Sequence, residues 1–128
     1  MENNPTTTRK EMIKEYKQTL QPMGIYQIKN LSNGKVFIES SKNLNGSLNS
    51  GKFQLDVGSH RNRVLQEDYS KFGEDQFSFE ILDRLEPKKD DPTYNYTDDL
   101  ETLKGMWLDK LRPFGDKGYN STPKVHQA

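Results

Sequence analysis

The chain has 128 residues, no cysteine, and 19 basic against 19 acidic side chains, so its formal net charge is zero. That length fits one domain of common size. The missing cysteine excludes disulfides, Cys-ligated zinc, iron–sulfur clusters and thiol catalysis, and fits a reducing, cytoplasmic setting. Hydrophobic residues make up 30% of the chain, and no apolar run approaches the roughly 18 residues of a membrane-spanning helix. The first residues lack the apolar stretch of a secretory signal.

In chain order, residues 1–8 read as a loose polar segment. Thr8 and Glu11 have capping-box spacing and open a helix over residues 9–20, with Met12, Tyr16 and Leu20 as a thin apolar stripe. Pro22 stops it. Gly24–Asn30 reads as a strand, since Ile25, Tyr26 and Ile28 favour extended structure. Ser32-Asn33-Gly34 is a turn signal, and Lys35–Ile38 follows as the partner strand, giving a β-hairpin. Ser40 or Ser41 is the expected cap of a short helix with Leu44, Leu48 and Phe53, although its asparagines and glycines are weak helix formers.

A second helix is expected over Arg61–Lys71, ended by Gly73. Phe77–Leu82 alternates as a strand. Residues 86–97 form an acidic, proline-containing loop. Asp98 or Asp99 then caps a last helix with Leu100, Leu103, Trp107, Leu108 and Leu111 as its apolar face, and Pro113 ends it. Trp107 is expected in the core. Residues 1–22 thus read as a polar segment with a helix, 23–120 as the domain, and 121–128 as a disordered tail. Three strands with flanking helices define an α+β domain with a small mixed or antiparallel sheet.

The charges are unevenly spread. Residues 1–73 carry 11 basic and 7 acidic side chains, residues 74–104 carry 4 and 10, and residues 105–128 carry 4 and 2. A nucleic-acid-binding face must therefore come from the first 73 residues and the tail. Lys42, Lys52, Arg61, Arg63 and Lys71 are the candidates for backbone phosphate contacts.

Gly24-Ile25-Tyr26, ten residues, then Phe37-Ile38-Glu39 resembles the paired signature of the GIY-YIG nuclease family. Ser40–Leu44, His60–Asp68, and Met106–Leu111 followed by Gly118-Tyr119-Asn120 resemble further family blocks, so the resemblance covers roughly residues 23–120. It implies the family's α+β fold and metal-dependent hydrolysis of a DNA phosphodiester. In that chemistry a carboxylate holds a hard divalent cation, a base accepts a proton from water, and a cation stabilises the phosphate. The resemblance assigns these jobs to a glutamate on the last helix, the signature tyrosines and an arginine after the second signature.

This chain departs from the pattern at most of those positions. Tyr26 matches the first signature tyrosine and Asn120 the closing asparagine. Phe37 stands at the second tyrosine, Glu39 at a glycine, Ser47 at the arginine and Lys104 at the metal-binding glutamate. Removing one charge-stabilising donor typically costs about 10²–10³ in rate, and several are replaced here. The expectation is a catalytically inactive pseudonuclease that retains nucleic-acid or protein binding and needs no cofactor. Glu39 and Lys104 are expected to form an ion pair in place of the metal site. Two alternatives stand beside it. One is an active Mg²⁺- or Mn²⁺-dependent DNA endonuclease with Glu101 or Glu39 as relocated ligand. The other is a protein-interaction module using the acidic 86–101 segment. No membrane partner is expected.

Overall fold

The computed structural model describes residues 21–87 and 93–122. The expected helix at 9–20, the Lys88–Asp91 loop segment and most of the expected tail lie outside the described residues.

The sheet has three antiparallel strands in the order β2-β1-β3. They are β1 (Gly24–Asn30), β2 (Val36–Ser41) and β3 (Phe77–Arg84). Among the described residues three helices accompany them: α1 (Leu44–Asp56) and α2 (Arg63–Phe72) lie between β2 and β3, and α3 (Thr97–Leu111) comes after β3. Short 3₁₀ turns sit at Glu74–Gln76 and Gly115–Lys117. No helix among the described residues is long and apolar enough to cross a membrane.

β1 is the central strand, and its burial shows it: Ile25 and Ile28, on opposite faces, are both fully buried. Gly24 is required where it stands, because a Cβ there would lie 2.0 Å from the Asp83 carbonyl oxygen. The β1–β3 register shifts next to it, between Ile25 and Tyr26. At the other end, Asn30 closes the hairpin turn. Its carbonyl accepts from Gly34 N–H at 2.7 Å and its N–H donates to Lys35 O at 2.8 Å. Gly34 takes φ 81°, a value glycine reaches without a Cβ clash.

Tyr26, Ile28 and Phe37 pack with Leu44 and Leu55 of α1, Leu65 and Tyr69 of α2, and Tyr119. Ile25 and Ile38, of the opposite parity, are also fully buried, and α3 lies against β1 and β2. A second, smaller cluster joins Met23, Tyr96 and Leu100. The C-terminal segment runs beside β2, where Tyr119 N–H donates to Val36 O at 2.9 Å. It covers an edge that would otherwise offer free backbone groups.

Several expectations are corrected. α1 is capped by Asn43, whose side chain accepts from Gly46 N–H at 3.0 Å, rather than by Ser40 or Ser41. Ser41 still belongs to β2, and its hydroxyl accepts from Asn43 N–H at 2.9 Å. The helix is 13 residues long rather than short, because burial of Leu44 and Leu55 outweighs its poor intrinsic propensity. Phe53 points to solvent at 64% exposure. α2 begins at Arg63, with Asn62 Oδ1 accepting from Leu65 N–H at 2.9 Å.

In α3 neither Asp98 nor Asp99 is the cap. Tyr96 holds that position without a side-chain bond, and Asn95 Oδ1 accepts from Thr97 N–H at 2.9 Å. Only Leu100 of its apolar face is buried, and Leu111 is 40% exposed. Trp107 is half-buried rather than core: its Nε1–H donates to Asp83 Oδ2 at 2.9 Å and Lys110 lies over its ring.

Candidate functional site

Strand register builds the site. Tyr26 on β1 is the cross-strand partner of Glu39 on β2, and Ile28 is that of Phe37. Tyr26, Phe37 and Glu39 therefore emerge on one face. Phe37 is buried and its ring is edge-on to both Tyr26, 6.5 Å between centroids, and His60, 5.6 Å. His60 and Arg61 come from the connection between α1 and α2. That connection is fixed by Asn62, which caps α2 and donates through Nδ2 to Tyr119 O at 2.7 Å. His60 Nδ1 accepts from Asn62 N–H at 3.0 Å, which leaves the proton of the neutral ring on Nε2. Burial, and then the charge of Arg61, holds the His60 imidazole below its ordinary pKa.

Glu39 is the electrostatic centre. Its Oε1 accepts from Arg61 Nη2 at 3.0 Å and its Oε2 from Lys104 Nζ at 3.1 Å. Ser40 N–H adds a third bond to Oε2 at 3.2 Å. The side chains of Glu39 and Lys104 are 20% and 21% exposed, against 72% for Arg61. The ion pair expected from the aligned positions is formed, and Arg61 extends it to a triad.

Tyr26 presents the opposite condition. It is only 7% exposed, and its hydroxyl finds no hydrogen-bond partner among the described residues. Burial, reinforced by the Glu39 charge and opposed by Arg61, pushes the phenol up to about 12. It is a neutral donor at physiological pH.

The remaining candidates fall in different places. Ser47, on the first turn of α1, shares a hydrogen bond with the Ser41 hydroxyl. Asn120 is occupied by the backbone: it accepts from Ile38 N–H at 2.8 Å and donates to Ile38 O at 2.8 Å. Glu101 is exposed, with Ser40 Oγ 3.5 Å from its Oε2. Of the five expected phosphate contacts, Arg61 reaches the cleft. Lys52 binds Glu74 at 3.1 Å and Asp56 at 3.2 Å, and Lys71 sits over the Phe72 ring. Lys42 and Arg63 are exposed.

A divalent cation at this centre would need free carboxylate oxygens. Both oxygens of Glu39 are held by cations, and among the described residues no three His, Asp or Glu side chains gather as ligands. The residues present do not fit such an ion.

Sequence reading missed the Arg61–Glu39 contact and the roles of His60 and Asn62. Asn62 carried a usable signal, an asparagine immediately before an amphipathic run. The Arg61 contact carried none, since its partner lies 22 residues away.

A three-stranded antiparallel sheet with three helices, the hairpin leading and its signature strands facing one cleft, defines a GIY-YIG-like α+β fold. The chain is similar to the catalytic domain of homing endonuclease I-TevI, with TM-score 0.64 and 29% identity over 79% of this chain and 99% of that one. It is also similar to a mutant catalytic domain of intron endonuclease I-TevI, with TM-score 0.63 and 29% identity over 78% and 93%. No protein-family model matches the chain, and no curated protein does.

Proposed function

We propose that this domain binds nucleic acid on a nuclease-like scaffold without hydrolysing it. The observation that carries the reading is the Lys104 ammonium 3.1 Å from Glu39, at the position where the family resemblance puts a metal-binding carboxylate. An ammonium there repels a divalent ion, and Glu39 is neutralised by its two cations. Ser47 offers a hydroxyl bonded to Ser41 where the resemblance calls for a guanidinium. Tyr26 keeps its proton to about pH 12, so it is a poor general base at neutral pH. Loss of one such group costs about 10²–10³ in rate, and several losses together leave hydrolysis near background.

The fold likeness to an endonuclease catalytic domain supports nucleic acid as the partner. Arg61, with 72% side-chain exposure beside the cleft, is the contact best placed for a backbone phosphate. The test is nicking of supercoiled plasmid in Mg²⁺ and in Mn²⁺, beside Glu101→Ala, with binding of a labelled duplex followed across a salt series. The expected result is binding that weakens with salt and no nicking by either protein. Nicking that copurifies with the protein and disappears in Glu101→Ala would overturn the reading and place a relocated metal ligand on α3.

A further inference from the structure

Two surface concavities of about 460 Å³ each meet at Arg61. One holds Tyr26 and the polar face of α1, and the other holds Glu39 and Lys104. Arg61 lines both. Among the described residues Glu39 is the only carboxylate lining either of them.

The cation geometry is that of an oxyanion receptor. Arg61 and Lys104, from different elements, approach different oxygens of one group at 3.0 and 3.1 Å. A phosphate group offers the same feature, two acceptor-only oxygens on one centre, and pairs with guanidinium and ammonium in the same manner. Arg61 has five N–H donors and Lys104 three, and Glu39 takes one from each. Across the strand pair from Glu39 lies Tyr26, nine-tenths buried, with a hydroxyl that has no partner among the described residues.

We propose that Arg61 and Lys104 form a phosphate site in which Glu39 is the resident stand-in, so that a phosphate group enters by exchanging with the Glu39 carboxylate. The exchange breaks two ion pairs and makes two, with the freed carboxylate turning to water. Glu39 therefore lowers affinity by competition and keeps the two cations from holding counterions that binding would release. The site itself is independent of the nucleic-acid reading; only the identification of the phosphate as a backbone phosphodiester rests on it.

Two probes separate the sources: inorganic phosphate, followed by NMR shifts of the Arg61 and Lys104 side chains, and a labelled DNA duplex, followed by anisotropy against salt. Glu39→Gln removes the charge and nearly keeps the shape. It is expected to tighten both probes about three- to fivefold, the upper range for one partly exposed ion pair, and to steepen the log–log salt dependence for DNA by about one unit. Arg61→Gln, at a 72% exposed side chain, leaves packing intact and is expected to weaken both probes by a similar factor.

Glu39→Gln affinity within twofold of wild type for both probes would overturn the exchange. If that variant fails to fold, unchanged phosphate binding in Arg61→Gln overturns it instead. Tighter phosphate binding by Glu39→Gln with no duplex binding by any protein would uphold the exchange and remove the nucleic-acid reading. Salt-sensitive duplex binding by wild type that neither variant alters would do the reverse.

Discussion

The two walls of the cleft stand on one floor but treat their polar groups in opposite ways. On the β2–α3 wall, both oxygens of Glu39 are partnered, by Arg61, Lys104 and a backbone N–H. On the β1–α1 wall, the Tyr26 hydroxyl has no hydrogen-bond partner among the described residues. The first wall resembles a completed structural cluster and the second an interrupted one. The difference teaches that adjoining parts of one sheet face can treat polar groups in opposite ways, one pairing its charges internally and the other presenting a phenol toward a concavity. A partly exposed ion triad contributes little to stability.

The largest expected effect attacks the floor shared by both walls. Ile28→Ala, at a fully buried core position, should cost about 2–5 kcal/mol in urea unfolding. A smaller loss would mean that the walls do not depend on that floor.

Alkaline pH should destabilise the fold through its buried phenols. Burial holds Tyr26 at about 12. Burial together with a carboxylate partner does the same for Tyr69, beside Asp56, and Tyr119, beside Asp68. The folded state keeps protons that the unfolded chain releases near pH 10, so stability falls as pH rises from about 10 to 12. Melting temperature followed with tyrosinate absorbance checks this, and Tyr26→Phe should soften the fall.

Asn120→Ala removes both bonds to Ile38 and should cost about 1–3 kcal/mol, since it leaves backbone groups of β2 unsatisfied. Lys104→Met leaves Glu39 paired with Arg61 and should change stability by no more than about 1 kcal/mol. A loss above about 3 kcal/mol would show that the ionic wall behaves as a fully buried pair. The smallest effect is Tyr26→Phe at neutral pH. No partner is lost, so stability should hold within about 0.5 kcal/mol or rise; a marked drop would reveal a partner for the hydroxyl and end the contrast between the walls.

Much of this was legible in advance. The hairpin was clear because Asn33-Gly34 supplies the turn and the flanking isoleucines and aromatics supply the strands. The Glu39–Lys104 contact followed from reciprocal changes at two aligned positions. The extent of α1 was not legible, since its asparagines, serines and glycines argue against a helix, and burial of Leu44 and Leu55 decides otherwise. Asn43 was passed over as its cap because Ser41, an equally good capping type, sits two residues earlier in β2. Trp107 was misplaced because helical spacing cannot tell a core face from a half-covered one. Asp83, which holds its indole N–H, arrives from β3.

The sequence by itself determined the order of the described elements, the hairpin and the α+β class, and it puts Ser47 and Lys104 where the family resemblance expects an arginine and a glutamate. These follow from local propensity and from motif spacing, which a chain carries in one dimension. Only the tertiary structure decided that Arg61 closes on Glu39, that Asn120 is bound to the β2 backbone and that Tyr26 sits across the strand pair from Glu39 with its ring against Phe37. Each depends on groups distant in the chain meeting in space, and side-chain pairing over that span is set by packing.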